Sequence, residues 1–187
     1  GQIMQANYRS PLSELQAQGW QVHSHSLSYD EQTLVFSAKA PQQTHYDLYT
    51  ARKNAKVWEN ITPLTTLNTA ADELYPTLSS SEQDLIFVKR SVEAGKGKKT
   101  VETFYLMSTN HAQSQWTAPD VIIISKGKDI SPILLADNKT VIFASSRTTD
   151  NKKDGNFALF YTQRIDNRNW VNPILILAPK NKNEHYY

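Results

Sequence analysis

Half of the basic residues of this chain fall within four short polar segments, and these residues have the clearest capacity for binding chemistry. The 187-residue sequence has 20 Lys and Arg residues, of which ten lie in these segments: Lys96, Lys98, Lys99, Lys126, Lys128, Arg147, Lys152, Lys153, Lys180 and Lys182. Ammonium and guanidinium groups gathered on one face favour an anionic partner, such as an acidic glycan, a lipid headgroup or an acidic protein. Acidic residues in the same segments weaken that field, so ordinary solvated loops are the alternative interpretation. The first eight are the predicted binding residues.

Other residues with catalytic or metal-binding chemistry do not form a complete site. His23 and His25 alternate along a predicted strand and share one side, but nothing else in the sequence completes a metal site around them. Residues 125–128, SKGK, match S-x-x-K on a loop that offers no burial to activate the lysine. Asp72 and Glu73 stand at the start of a strand, where carboxylates cap and solvate. The chain has no cysteine. We therefore predict no catalytic residue, no metal and no cofactor.

Composition excludes two classes of partner. The formal net charge is only +2, and the basic segments carry no aromatic residues for base stacking, so we expect no nucleic-acid binding. No apolar run approaches the roughly 18 residues of a membrane span, so we expect no membrane crossing. A length of 187 residues fits a single domain.

The elements that must position these residues are repeated. Three copies of an alternating apolar run are centred on phenylalanine: Leu34-Val35-Phe36, Leu85-Ile86-Phe87 and Val141-Ile142-Phe143. The phenylalanines are spaced by 87 − 36 = 51 and 143 − 87 = 56 residues. A polar turn precedes each run, and a short strand ending in Leu27, Leu78 or Leu134 precedes each turn. Each copy therefore begins with strand a, a tight turn and strand b.

The second half of the unit is repeated as well. An aromatic-rich strand c follows at residues 46–52, 103–109 and 157–163. A tryptophan, a proline and an aliphatic residue then recur, as Trp58, Trp116 and Trp170, as Pro63, Pro119 and Pro173, and as Leu67, Ile123 and Leu177. We place strand d at the aliphatic residues. We expect the repeated tryptophans to pack sheet against sheet, and Trp20, which is outside the register, to be exposed.

A unit of four antiparallel strands in about 50 residues predicts an all-β β-propeller. Residues 1–187 are interpreted as one partial propeller: an N-terminal outer strand d at 8–17, blade 1 at 20–68, blade 2 at 74–124, blade 3 at 130–178, and the start of a further blade at 179–187. The helix candidate at 13–18 is too short to change this interpretation. Propellers usually need about four to eight blades to close a ring. We therefore expect either an excerpt of a longer propeller or a homodimer that completes the ring.

The stretch "YPTLSSSEQDLIFVKR", with "TFYLMS" and the following Trp and Pro, resembles the TolB-like, WD-repeat-like β-propeller repeat. "DLYTARK" and "NTAADELYPTLS" are most similar to the variety in Bacteroidetes cell-envelope proteins, where it accompanies OmpA-like domains. The Asp-Gly turn of that repeat is replaced by Asp30-Glu31, Ser81-Glu82 and Asp137-Asn138. The resemblance implies a periplasmic or outer-membrane-associated location and carries no catalytic residues.

The leading functional expectation is a non-enzymatic binding or scaffold module that presents its b–c and d–a loops to a protein or glycan partner. The alternative is the propeller portion of a larger hydrolase or polysaccharide-degrading enzyme, whose catalytic residues would lie outside this chain.

Overall fold

The chain folds into three antiparallel sheets and one short helix. The structure is a computed structural model, and it describes residues 11–148 and 156–177. Helix α1 spans Pro11–Ala17. Sheet 1 contains β1 (Gln21–Leu27), β2 (Thr33–Lys39), β3 (Asp47–Asn54) and β4 (Val57–Pro63). Sheet 2 contains β5 (Asp72–Leu78), β6 (Asp84–Ala94), β7 (Thr100–Ala112), β8 (Gln115–Trp116) and β9 (Asp120–Val121). Sheet 3 contains β10 (Asp129–Leu134), β11 (Thr140–Ser145), β12 (Ala158–Gln163) and β13 (Ile174–Leu177).

The all-β prediction is confirmed, and its origin lies in the repeated apolar runs. Phe36, Phe87 and Phe143 occupy the second strand of their sheets and are fully buried. Successive side chains of a strand point to opposite faces, so residues flanking each phenylalanine reach the neighbouring sheet. One core lies between sheets 1 and 2, a second lies between sheets 2 and 3, and a third covers the other face of sheet 1. No helix in the described part of the chain has the length and apolar character needed to cross a membrane.

The predicted outer strand at residues 8–17 is wrong over its described part, because Pro11–Ala17 form α1. Proline is favoured in the first turn of a helix, where its missing N–H is not needed. Leu12 and Leu15 are three residues apart and therefore share a helix face, which packs on Phe36 and its neighbours in sheet 1. Tertiary packing of this face stabilises a helix that would be too short in isolation.

The outer strands also differ from prediction. β4 ends at Pro63, so Leu67 follows the strand and is buried in the core between sheets 1 and 2. In sheet 2 the outer position is divided between β8 and β9, which both pair with β7. In sheet 3, β13 includes Leu177, as predicted.

The tryptophans share one structural position. Trp58, Trp116 and Trp170 pair across the outer hairpin with Lys53, His111 and Arg164, respectively. Each packs against the buried core beside its sheet, so the packing interpretation is confirmed. The expectation for Trp20 is wrong. Its ring packs edge-to-face on Tyr49, with 5.0 Å between ring centroids, and contributes to the core beneath α1.

Hydroxyl groups join the first strands of neighbouring sheets. Tyr75 and Leu78 of β5 donate their N–H groups to Ser24 Oγ (2.9 Å) and Ser26 Oγ (3.0 Å) of β1. Leu134 of β10 likewise donates to Thr77 Oγ1 of β5 at 3.0 Å. The bonding residues follow the same chain order on β1 and on β5, so these two strands run in the same direction. Neighbouring sheets therefore have the same orientation. The connections between second and third strands and between sheets therefore lie at one end, called here the loop end, and the tight turns lie at the other, called the turn end.

Three turn-end residues adopt left-handed backbone conformations. Glu31, Glu82 and Asn138 have φ angles of 58°, 58° and 55°, and they occupy the same position in the first turn of each sheet. These are the positions at which the Asp-Gly turn of the similar repeat has glycine. Glycine adopts this region without steric cost, whereas asparagine tolerates it better than glutamate does.

We expect Glu31→Gly and Glu82→Gly each to raise the free energy of unfolding by about 0.5–1 kcal/mol, since relief of left-handed strain exceeds the added entropy of the unfolded chain. Asn138→Gly should give no gain, because its side-chain oxygen accepts hydrogen bonds from Ser80. Urea unfolding measures all three variants. Destabilisation by both glutamate substitutions would show that these turns are unstrained.

Candidate binding surface at the loop end

The most prominent feature of the loop end is a hairpin formed by β6 and β7. β6 has 11 residues, whereas the corresponding β2 and β11 have 7 and 6. The four extra residues relative to β2 extend the hairpin by roughly 13 Å at about 3.3 Å per residue. The sequence predicts a b–c loop at residues 90–100. In the structure β6 instead continues to Ala94 and β7 begins at Thr100, so only the residues between them form the turn. The alternation of Val92 and Val101 with polar neighbours is the signal that could have revealed the hairpin.

The predicted binding residues differ in their surroundings. Lys96, Lys98 and Lys99 are at the tip of this hairpin, and all three are exposed. Lys126 is exposed on the segment between β9 and β10, whereas Lys128 and Arg147 are held in ion pairs. Lys152 and Lys153 lie outside the described residues, as do Lys180 and Lys182.

An open cleft of about 600 Å³ lies beside the projecting hairpin. Its walls include Val101, Glu102 and Tyr105 from β7, and Ile124 and Lys126 from the segment before β10. Ile124 is 77% exposed. Val101 of the same cleft is 51% exposed, and large apolar side chains that are exposed together are a feature of protein contact surfaces.

A chain of alternating charges crosses the loop end. Arg90 Nη1 lies 2.7 Å from Asp72 Oδ2, and Arg90 Nη2 lies 2.7 Å from Glu102 Oε1. Lys128 directly precedes β10, and its Nζ lies 3.0 Å from Glu102 Oε2. Hydrogen bonds from the two cations hold the pKa of Glu102 below its usual value. Both cations also lie over the ring of Phe104, at 5.8 Å for Arg90 and 5.2 Å for Lys128.

A buried ion pair anchors the segment leading into sheet 3. Asp129 is fully buried, and Arg147 Nη2 donates to both of its carboxylate oxygens at 2.9 and 2.8 Å. Ser145 Oγ donates to the same carboxylate at 2.5 Å and accepts from Arg147 Nε at 3.0 Å. Gly127 is required beside this pair, because a Cβ atom there would lie 2.4 Å from the backbone nitrogen of Arg147. Arg147 thus contributes fixed geometry rather than free positive charge.

Glu73 occupies the position in sheet 2 that Asp129 occupies in sheet 3, and it is also fully buried. Thr69 donates its hydroxyl to Glu73 Oε1 at 2.6 Å and its N–H to Oε2 at 3.2 Å. Burial raises the pKa of Glu73 to about 7 despite these bonds, and the charge of Asp47 raises it further. The repeat therefore places a buried carboxyl at two successive sheet boundaries.

The histidines flagged in the sequence do not form a metal site with other described residues. The ring of His23 contacts Tyr46 and Tyr75 edge-to-face, with centroid distances of 5.3 and 4.6 Å. Burial between these rings lowers the pKa of His23, which the charge of Asp72 partly offsets. Within residues 11–148 and 156–177, no group of three His, Asp or Glu side chains is close enough to hold a metal ion.

Together the fold and this surface define an all-β repeat protein with a projecting, charge-paired loop end. No protein-family model matches the sequence, and no curated protein is significantly similar to it. Among solved structures, the cryo-EM structure of Morganella morganii TcdA4 contains a similar chain, with 12% identity and a TM-score of 0.44. The match covers 78% of this chain and 7% of that one. A likeness this distant does not assign a family or a function.

Proposed function

We propose that this chain is a non-enzymatic β-propeller module of a bacterial cell envelope, and that its loop end binds a protein partner. The observation that carries the binding role is the exposed apolar cleft at Ile124 beside the projecting hairpin. The envelope location rests on the resemblance of the repeat to TolB-like proteins. The non-enzymatic role is supported by the burial of Glu73 and Asp129, whose carboxyl groups are bonded within the fold rather than turned to a cleft.

The propeller architecture is supported by the way in which the sheets follow one another. The first strands form a consecutive series in which β1 contacts β5 and β5 contacts β10. Val35 and Ile86 hold the same register position in sheets 1 and 2, and each is buried against the next sheet. Ile142 holds that position in sheet 3 and is only half-buried.

The outward face of sheet 3 is therefore apolar and exposed. Ile133 pairs with Ile142, and Ile174 pairs with Tyr161, so alternation places all four on the face directed away from sheet 2. Ile133 is 59% and Ile174 is 45% exposed. In a propeller, this is the face on which the following blade packs.

We expect the isolated chain to self-associate through this face, because water contact with a continuous apolar sheet surface is unfavourable. Light scattering coupled to gel filtration should give a mass at or above twice 21.3 kDa. Ile133→Asp combined with Ile174→Asp should restore the monomer. Val57→Asp with Ile61→Asp is the matched control, since these exposed residues lie on β4 of sheet 1. A strictly monomeric wild-type chain would count against this packing.

Capture from an envelope extract, run in parallel with a glycan array, tests the binding role. Ile124→Asp should lower recovery of the bound protein about tenfold, or about 1.4 kcal/mol, because it places a charge at the centre of the contact. Lys98→Glu with Lys99→Glu should weaken binding through the hairpin tip. The control is Lys56→Glu with Lys139→Glu, which makes the same charge change at the turn end.

Two outcomes would contradict the proposal. Equal recovery by the Ile124→Asp variant and by wild type would show that the cleft is not the binding surface. Binding to a glycan on the array that the same variants abolish, with no protein captured, would identify a glycan partner instead.

A further inference from the structure

An open cleft of about 390 Å³ lies at the turn end, between sheets 2 and 3. Ligand sites in proteins usually measure roughly 300–1,000 Å³. Asp84, Asn110 and Asp120 line it from sheet 2, and Arg164 and Arg168 line it from sheet 3, with hydroxyl groups of β7 and the segment after β8 between them. The cleft is at the opposite end of the sheets from the loop-end surface, so it does not depend on the proposed function.

Arg164 lines the cleft with an incompletely hydrogen-bonded guanidinium group. Its Nη1 lies 2.8 Å from Asp84 Oδ1, and its guanidinium lies over the ring of Trp170 at 5.0 Å. Its Nε and Nη2 are buried and make no hydrogen bond in the described part of the protein. Buried donors without acceptors are unfavourable, so this guanidinium is held at the edge of the cleft by Asp84 and Trp170 with part of its hydrogen-bonding capacity unused.

The ion pair between Asp84 and Arg164 is not repeated at the boundary between sheets 1 and 2. Asp84 and Arg164 correspond in register to Thr33 in sheet 1 and His111 in sheet 2, so the boundary between sheets 1 and 2 has a threonine and a histidine at these positions. A residue needed only for packing would tend to recur in each unit, as Trp58, Trp116 and Trp170 do. The charged pair is specific to the boundary that has the cleft.

Hydrogen bonds within the protein order two further parts of the cleft. Thr117 Oγ1 donates to Asn110 Oδ1 at 2.7 Å, which leaves the amide N–H donors of Asn110 without a partner among the described residues. In the turn after β12, Asp166 accepts from the N–H groups of Arg168 and Asn169, each at 2.9 Å. This closed turn fixes the backbone position from which the exposed Arg168 side chain reaches the cleft.

We infer that this cleft binds a neutral saccharide. Two carboxylates and two guanidinium groups face it, so its formal charge is zero, with −2 from Asp84 and Asp120 and +2 from Arg164 and Arg168. The carboxylates disfavour an anion, and the guanidinium groups disfavour a cation. A sugar hydroxyl donates one hydrogen bond and accepts another, so adjacent hydroxyls can pair with carboxylate and guanidinium together.

Saturation-transfer NMR and calorimetry on the whole chain test this inference. The probes are glucose, galactose, N-acetylglucosamine and their β-1,4-linked disaccharides, with glucuronate and inorganic phosphate as anionic comparators. At least one neutral saccharide should bind with a dissociation constant of roughly 1 mM or tighter. Arg164→Gln should weaken that binding at least tenfold, and Arg168→Ala should weaken it several-fold.

Lys53→Gln is the matched control, since Lys53 has the same register position in sheet 1 and also lies over a tryptophan. This variant should bind the saccharide as wild type does. Arg168 is exposed, so Arg168→Ala decides the matter even where Arg164→Gln fails to fold. The inference is overturned by absence of binding to every neutral probe, by tighter binding of phosphate or glucuronate, or by unchanged saccharide binding in Arg168→Ala.

Discussion

Asp129→Ala should lower the free energy of unfolding by about 3–5 kcal/mol, the range for removing one member of a buried ion pair. Asp129 is fully buried and accepts three hydrogen bonds, two from Arg147 and one from Ser145. Without the carboxylate, the guanidinium of Arg147 would lose its buried ion pair with Asp129, and Ser145 would lose its acceptor. Urea unfolding followed by tryptophan fluorescence measures the loss.

Glu102→Ala is the control for this effect. Glu102 also contacts two cations, but about a third of its side chain is exposed, so solvent screens the interaction and the loss should stay below about 1 kcal/mol. A second variant, Asp129→Leu with Arg147→Met, replaces both charges with apolar groups and should recover much of the stability lost in Asp129→Ala. Equal losses for Asp129→Ala and Glu102→Ala would show that the buried pair is not a stabilising contact.

The strands were predictable because their signal is local. Phe36, Phe87 and Phe143 lie at the centre of short alternating runs. The alternation of apolar and polar residues predicts which side chains are buried. The tryptophans were predictable for a related reason, since an equal position in every unit indicates a common packing role. Helix α1 was not predictable, because seven residues have too little propensity to form a helix without the contact of Leu12 and Leu15 with sheet 1.

The ion pairs of the loop end and of the turn end could not be predicted, because the partners are distant in sequence. Lys128 pairs with Glu102, which is 26 residues away, and Arg164 pairs with Asp84, which is 80 residues away. A count of lysines in loops therefore overstates the free positive charge. The turn-end cleft has no sequence signal at all, since Asn110, Arg164 and Arg168 approach one another only when two sheets stack.

One buried carboxyl group should make stability fall as pH rises through the acidic range. The pKa of Glu73 is about 7 in the folded protein and near 4.5 when the group is free. Between these values the folded state keeps a proton that the unfolded state releases. Stability therefore falls as pH rises from about 4.5 to about 7. The difference of about 2.5 pKa units corresponds to at most about 3 kcal/mol.

Glu73→Gln should remove this dependence, because glutamine is the neutral form of the same shape and can still exchange hydrogen bonds with Thr69. Near pH 8 the variant should be about 2–3 kcal/mol more stable than wild type, since it spares the cost of a buried charge, and near pH 4 the two should be equal. Urea unfolding at several pH values measures the difference, in which the contributions of all other titrating groups cancel. Glu93→Gln, at an exposed position on the projecting hairpin, should follow the wild-type curve at every pH. A Glu73→Gln curve parallel to wild type would mean that Glu73 is ionised in the folded protein throughout this range. The boundary between sheets 1 and 2 would then stabilise a buried carboxylate, contrary to this prediction.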